Sequence, residues 1–164
     1  MHIPGVCVAV AAAGWLAAGV WLAVTDLRTS LLPTRVIWPA AGAVWVLYAA
    51  ASLIEAEPDG LIGAALGAAV CGAILAAVHY AHPPSMGFGD VRLSVLNGLL
   101  CGWWGWQFAL VGLMAGFALA VPEALIVIAR NGMKASRPLG PYLVAGAAAA
   151  VAWAVATRGL VPVR

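Results

Sequence analysis

Long apolar runs dominate this 164-residue chain and restrict what it can fold into. Hydrophobic residues make up 65% of the chain and charged residues 9%, and the mean hydropathy is +1.02. Soluble domains average roughly 45 to 50% apolar and about 25% charged residues, so the composition predicts an integral membrane protein. The length leaves room for one compact helical domain, and we expect a single transmembrane domain over residues 1–164.

Five apolar runs are each near the roughly 20 residues that a helix needs to cross the hydrocarbon core. A shorter stretch opens at Asp90 and closes in Trp103-Trp104-Gly105-Trp106, where an aromatic belt at the membrane interface is expected. Counting this stretch, the sequence predicts an all-α integral membrane protein, a six-helix transmembrane bundle. The predicted spans are about 3–25, 36–54, 61–80, 91–106, 107–129 and 139–157.

Three pairs of glycines stand four residues apart, the spacing that lets helices approach closely in lipid. In a chain with 19 glycines such pairs are expected by chance, so we interpret them as packing sites and not as evidence for a dimer. The pairs are Gly63 with Gly67, Gly98 with Gly102, and Gly112 with Gly116.

Basic residues indicate the orientation of the bundle, because Lys and Arg near span ends stay on the cytoplasmic side. The loops after the first, third and fifth predicted spans hold six of the 8 basic residues, while Arg158 and Arg164 lie in the tail. Both termini are therefore predicted to lie outside the cytoplasm. Asp26 and Asp90 are predicted to lie at the cytoplasmic end of the bundle. The apolar composition implies a lipid bilayer as partner, while the scattered basic residues and the net charge of +2 give no indication of nucleic-acid binding.

Asp26 and Asp90 are the main candidates for chemistry, because both stand where apolar runs meet polar loops. A carboxylate at a transmembrane helix centre costs roughly 2.5 to 3.5 kcal/mol on insertion scales, so an acid near the bilayer indicates a functional site. When two carboxylates face each other, repulsion and desolvation keep one protonated and the other ionised. Such a pair can hydrolyse a peptide bond without a metal or a covalent intermediate.

Helix capping and ion pairing are a second interpretation of these two acids. Asp90 could cap the fourth span, and Asp26 could pair with Arg28 or Arg35. The residues alone leave both interpretations open.

Other polar residues add little chemistry. Glu123 could be a third acid at the site, although pairing with Arg130 is the simpler expectation. His79 and His82 have no third ligand nearby in sequence, and the three cysteines form no Cys-x-x-Cys pair. We therefore expect neither a metal nor a cofactor.

The segment Gly87–Leu93 reads Gly-Phe-Gly-Asp-Val-Arg-Leu, and its glycines permit positive φ and a close approach of a substrate strand. This segment resembles the Gly-x-Gly-Asp motif of the bacterial type IV prepilin peptidases, a family of membrane aspartic proteases. In that family a Lys usually stands where this chain has Arg92. Thr34 stands where the family often has Asp or Asn.

Three further stretches resemble the same family, in the order expected from it. Asp26-Leu27-Arg28 followed by Leu32-Pro33 is similar to the family's first aspartate segment. The glycine-rich stretch after the second aspartate corresponds to Gly98 and Gly102-Trp103. Residues 137–142 are similar to the Pro-Phe-Gly-Pro-Phe segment that opens the last helix.

The resemblance implies that Asp26 and Asp90 are the catalytic pair, that Gly87 and Gly89 shape the loop, and that Arg92 contacts the substrate. It implies a prepilin or pseudopilin substrate whose leader is cut at the cytoplasmic face of the bacterial inner membrane, with pilus or secretion assembly proteins as further partners. Many members also carry a methyltransferase domain with paired Cys-x-x-Cys motifs. This chain lacks those motifs, so we expect no methyltransferase activity.

Two other functions use the same residues. A small proton-coupled transporter would need carboxylates distributed across the bilayer, including Asp26, Asp90 and Glu123. A scaffold protein of a secretion assembly would tolerate replacement of both aspartates by asparagine. The location of both aspartates at one boundary favours the peptidase.

Overall fold

The computed structural model describes residues 3–81, 86–131 and 138–161, except for the side chains at 127, 128, 130 and 131. These ranges contain six α-helices and no strand, which confirms the predicted all-α six-helix bundle. The helices are α1 Ile3–Thr29, α2 Thr34–Glu55, α3 Asp59–Ala81, α4 Phe88–Gly102, α5 Trp106–Asn131 and α6 Gly140–Arg158.

All of these helices except α4 are long and apolar enough to cross a membrane, so the chain is a multi-pass membrane protein. With 15 residues, α4 covers about 22 Å, which is less than the roughly 30 Å of a hydrocarbon core. The sequence predicted this element at residues 91–106, but the helix begins at Phe88 and ends at Gly102. The chain turns there through Gly105, whose φ of 125° suits a residue without a side chain.

The tryptophans after α4 belong to the core, which corrects the expectation of an interfacial belt for Trp103 and Trp104. Trp103 is 2% and Trp104 0% exposed. The Trp103 ring stacks on Tyr48 with centroids 4.5 Å apart, and it lies over Gly60, where a Cβ would come within 2.9 Å of it. The Trp104 Nε1–H donates to the Gly159 carbonyl oxygen at 2.9 Å. The Trp103 ring therefore fills space that Gly60 leaves open, and the Trp104 ring is held by its bond to the end of α6.

Helix α4 lies at the centre of the bundle, where it contacts each of the other five helices. Its most extensive contact is with α3, and glycines on both helices let the two backbones touch there. A Cβ at Gly98 would lie 2.3 Å from the Gly67 carbonyl oxygen, and one at Gly102 would lie 2.4 Å from the Gly63 carbonyl oxygen. The first two predicted glycine pairs therefore pack helices within one chain.

The third glycine pair packs α5 against α6. A Cβ at Gly146 of α6 would lie 2.4 Å from the Gly112 carbonyl oxygen and 2.3 Å from the Gly116 nitrogen. The interpretation of all three pairs as packing sites is therefore confirmed.

One end of the bundle gathers the C-terminus of α1 and the N-termini of α2, α4 and α6. Contacts between residues near these termini, described in the next subsection, join the four helices there. We call it the aspartate end, because it contains Asp26 and Asp90. At the opposite end Trp104 meets the end of α6, where the Arg158 guanidinium donates to the Trp104 carbonyl oxygen at 2.7 Å.

We expect Gly98→Ala to destabilise the bundle by about 1 to 3 kcal/mol, because the added methyl group cannot fit without moving the α3 or α4 backbone. Gly42→Ala is the matched control, since a Cβ at Gly42 meets nothing within 4 Å. Thermal unfolding in detergent, followed by circular dichroism, measures the difference. Equal stability of the two variants would contradict the close α3–α4 contact.

Candidate active site

Asp26 lies in the last turn of α1 and is only 4% exposed. Its Oδ2 accepts a hydrogen bond of 2.9 Å from the backbone N–H of Gly140, the first residue of α6. The first N–H groups of a helix have no partner inside the helix, and the positive end of its dipole attracts a negative charge. The start of α6 therefore provides a binding site for the Asp26 carboxylate.

Gly140 has to be a glycine for this contact. A Cβ at this position would lie 2.7 Å from Asp26 Oδ2 and 3.2 Å from Asp26 Cγ. Gly140 lies in the segment 137–142 that resembles the family's last conserved stretch, but the resemblance implies no role for this residue at the site. No pattern in a single sequence pairs residue 26 with residue 140, because their proximity arises from the packing of α1 on α6.

Asp90 lies in the first turn of α4 and is 8% exposed. Burial and, to a smaller extent, the nearby Asp26 carboxylate raise the pKa of Asp90 to about 7, although a hydrogen bond from the Gly87 backbone partly opposes the shift. The structure thus brings the two aspartates close enough for one charge to act on the other. These two are the buried carboxylates among the residues that the structure describes.

Neither aspartate has the role that the capping and pairing interpretation predicted among the residues described. Asp90 is not the N-cap of α4, because Gly87 occupies that position, and the Asp90 carboxyl group instead accepts a hydrogen bond from the Gly87 backbone. Arg28 and Arg35 are both exposed, and neither forms an ion pair with Asp26 in the described part of the chain. Both carboxylates are buried, and neither forms an ion pair with a basic side chain that the structure describes.

The sequence suggested that Gly87 and Gly89 serve as glycines with positive φ, but neither residue has a positive φ. Gly87 is exposed and extended, with φ −70° and ψ 147°, and a Cβ there would lie 3.6 Å from Asp90 Oδ2. Gly89 packs on Leu32 of the loop between α1 and α2, where a Cβ would come within 2.8 Å of the Leu32 Cβ. Gly87 therefore places no side chain against the Asp90 carboxyl group, and Gly89 lets the loop after Asp26 approach α4.

Arg92 follows one half-turn after Asp90 and is half-buried. Its guanidinium donates a hydrogen bond to the Thr34 hydroxyl at the start of α2 and lies 4.8 Å from the centroid of the Phe88 ring. These contacts hold one positive charge at the aspartate end. The two positions that depart from the family pattern, 34 and 92, are therefore direct neighbours.

Glu123 is half-buried on α5 and accepts a hydrogen bond from the Tyr142 hydroxyl of α6. The structure ties Glu123 to the first turn of α6 and not to Asp26 or Asp90. The expected pairing with Arg130 lies outside the described side chains.

His79 closes the end of α3. Its Nδ1 lies 2.9 Å from the Met86 carbonyl oxygen, and its ring packs on Phe88 with centroids 5.3 Å apart. His82 lies outside the described residues. Within the described ranges no group of three His, Cys, Asp or Glu side chains could hold a metal ion.

Asn97 is a buried polar residue that the sequence analysis missed. It stands seven residues after Asp90 and therefore on the same face of α4, a spacing that is visible in the sequence. Its Oδ1 accepts a hydrogen bond of 3.0 Å from the Trp15 Nε1–H, and its Nδ2 donates one of 3.1 Å to the Leu143 carbonyl oxygen. Trp15 is accordingly a core residue and not an anchor at the membrane boundary.

Residues 10–129 match a family model described as the type IV leader peptidase family. The match covers well over half of the chain and includes both aspartates and the Gly-x-Gly-Asp segment. No curated protein and no solved structure shows significant similarity to the chain.

We expect Gly140→Ala to displace the Asp26 carboxylate and to remove its hydrogen bond, which costs about 1 to 3 kcal/mol for a buried acceptor. Carbodiimide labelling followed by peptide mass spectrometry should then modify Asp26 faster than in the unsubstituted protein. Gly14→Ala on α1 is the control, since a Cβ there meets nothing within 4 Å. Unchanged labelling of Asp26 in Gly140→Ala would contradict the contact.

Proposed function

Because the chain belongs to the type IV leader peptidase family, we propose that it is an aspartic endopeptidase that removes the leader of a prepilin or pseudopilin. The observation that carries the aspartic mechanism is the pair of buried carboxylates, Asp26 from α1 and Asp90 from α4, that meet at one end of the bundle. The family supports a protease, and the pair supplies groups that can carry out the hydrolysis.

In the proposed mechanism the resting pair shares one proton. The hydrogen bond from the Gly140 N–H favours negative charge on Asp26, and the raised pKa of Asp90 favours the proton there. The proton belongs to the pair in the sense that the two groups titrate together. Because the Gly140 hydrogen bond and the raised pKa of Asp90 favour one of the two arrangements of this proton, we propose Asp26 as the base in the first step and Asp90 as the acid.

Hydrolysis then proceeds by general acid and base catalysis. Asp26 takes a proton from water as the water oxygen attacks the scissile carbonyl carbon, and Asp90 donates its proton to the carbonyl oxygen. In the second step the carbon–nitrogen bond breaks while Asp26 passes its proton to the leaving amine. Asp90 regains a proton from the tetrahedral hydroxyl group, so the pair ends with one proton, as it began.

The substrate approaches at Gly87 in this proposal. Gly87 is exposed and carries no side chain to cover the Asp90 carboxyl group, so an extended leader segment has access to it. Arg92, which Thr34 and the Phe88 ring hold in place, contributes a positive charge beside that path. Gly89 contributes through the packing of the loop at Leu32 and does not contact the substrate.

We propose that the aspartate end faces the cytoplasm in a bacterial inner membrane and that both termini lie on the other side. Arg28 and Arg35 are exposed at the aspartate end, as the retention of basic residues in the cytoplasm requires. Arg158 lies at the opposite end, where it bonds the Trp104 carbonyl and covers the Phe108 ring. In this orientation the pair meets a leader that has not yet crossed the membrane.

The transporter alternative finds little support in the described residues. A proton relay needs carboxylates at several depths, but the buried ones, Asp26 and Asp90, lie at one end. Glu123 bonds Tyr142 near the start of α6, which is also at that end.

We expect Asp26→Asn and Asp90→Asn each to lower leader cleavage at least about a hundredfold, because each removes one of the two proton-transfer groups. The assay co-expresses each variant with a candidate prepilin from the same genome and follows leader loss by mass spectrometry. Glu57→Gln, an exposed acid at the opposite end, is the matched control and should cleave normally.

Cleavage is compared only between variants that are equally abundant in the membrane, so that loss of protein is not mistaken for loss of catalysis. Persistent cleavage in either asparagine variant would contradict the two-aspartate mechanism. Unchanged leader processing with both substitutions would favour a scaffold role. The same spectra show whether the new amino terminus stays unmethylated, as we expect for a chain without paired Cys-x-x-Cys motifs.

We expect the cleavage rate to fall as the pH rises through about 7, because the pair loses its shared proton and Asp90 can no longer act as an acid. Initial rates measured from about pH 5 to about pH 9 in detergent test this expectation. Aliquots returned to neutral pH before assay control for irreversible unfolding. A rate that rises steadily above neutral pH would indicate a different nucleophile.

A further inference from the structure

Asn97 connects three helices through the two ends of one buried amide. The Trp15 indole N–H donates to its oxygen from α1, and its nitrogen donates to the Leu143 carbonyl oxygen of α6. Both bonds have ordinary lengths, 3.0 Å and 3.1 Å, and the residue is 8% exposed. Both ends of the Asn97 side chain therefore have a partner on another helix.

The same three helices build the candidate site. Asp26 comes from α1, Asp90 from α4, and the N–H that binds Asp26 comes from Gly140 of α6. Asn97 lies seven residues, about two turns, from Asp90, and Leu143 lies about one turn from Gly140. Trp15 lies about three turns before Asp26 on α1. The amide thus joins the three site helices a short distance inside the bundle.

The amide matters most for the contact between α1 and α4, because this contact is small. Among the helix pairs that pack together in the described residues, α1 and α4 share the least extensive contact. In a bilayer the lipid tails are as apolar as the side chains, so apolar packing has no hydrophobic driving force and resists sliding of α1 along α4 only weakly. A hydrogen bond has a required distance and angle, so it defines how far one helix is displaced along the other.

We propose that Asn97 is a positioning residue that fixes the axial register of α1 and α6 against α4 and thereby sets the spacing of the Asp26 and Asp90 carboxyl groups. This inference rests on the proposed function of the pair. A displacement of about 1 Å between reacting groups can lower a rate by on the order of a hundredfold. Polar bonds between membrane helices are individually weak, so the bundle should fold without this one.

The test compares Asn97→Ala and Trp15→Phe with Tyr48→Phe. The control removes a buried hydrogen bond of 3.0 Å that joins α2 to the Leu100 carbonyl of α4 and leaves α1 and α6 untouched. We expect kcat for leader cleavage to fall roughly tenfold to a hundredfold in the first two variants, with KM changed much less. The pH at which half the activity is lost should shift in these two variants and stay constant in Tyr48→Phe.

A second readout needs no activity. A Cβ at Gly19 of α1 would lie 3.0 Å from the Val144 Cγ1 of α6, next to the two partners of Asn97. Gly19→Cys together with Val144→Cys, in a chain whose native cysteines are replaced, should form a disulfide rapidly under mild oxidation. Addition of Asn97→Ala should slow this cross-link, because α1 and α6 lose their common register.

The outcomes separate the two proposals. A wild-type chain that cleaves no prepilin contradicts the proposed function, while the cross-linking rate still tests the register. An unchanged cross-linking rate in Asn97→Ala overturns the inference whatever the activity. Slower cross-linking together with unchanged kcat and an unchanged pH profile also overturns it, because the register would then have no effect on the pair.

Discussion

The direct backbone contact between α3 and α4 is the interaction on which the rest of the structure depends. Glycines at 63, 67, 98 and 102 remove the side chains that would separate the two helices. This contact seats a short helix with several polar residues in the middle of five longer apolar ones. Inside a bilayer such a helix persists only where protein surrounds it, because lipid satisfies none of its polar groups. Its central place also explains why α4 can carry an acid at one end and an amide in its interior.

Most polar side chains of the described core have defined partners, the buried Trp103 Nε1 being the exception, and these partners explain much of how the helices are arranged. Asp26 accepts from the start of α6, Asn97 bonds α1 and α6, and Tyr48 bonds the backbone of α4. Burial of a polar group without such a partner is costly, so each bond restricts which arrangements of the helices are stable. For Asp90, burial and the Asp26 charge both act against the ionised form, and the hydrogen bond from the Gly87 backbone only partly offsets them. An acid that is buried at a cost to stability fits the proposed catalytic role better than a structural one.

The two departures from the family pattern are one feature in space. In the sequence, Arg92 and Thr34 are separate substitutions with 57 residues between them. In the structure the Arg92 guanidinium donates to the Thr34 hydroxyl. The guanidinium is longer than a lysine ammonium and has several donors, and it meets a short, uncharged hydroxyl group. An arginine presents several donors in a fixed plane, whereas a lysine presents one compact charge, and the partner at position 34 has to suit that geometry. This pairing could not be deduced from either residue alone.

The sequence by itself determined the membrane class, the six helices, the location of the two aspartates at one end and the glycine packing sites. Composition, apolar length and local spacing are properties of the chain alone. It misplaced the end of α4 and the role of Trp103 and Trp104, since apolar length does not distinguish a lipid-facing belt from a buried core. The tertiary structure alone decided that Gly140 binds Asp26, that Gly89 packs on Leu32 and that Asn97 joins three helices. Each of these contacts joins residues far apart in sequence, and their distances depend on how the helices pack and not on how each helix forms.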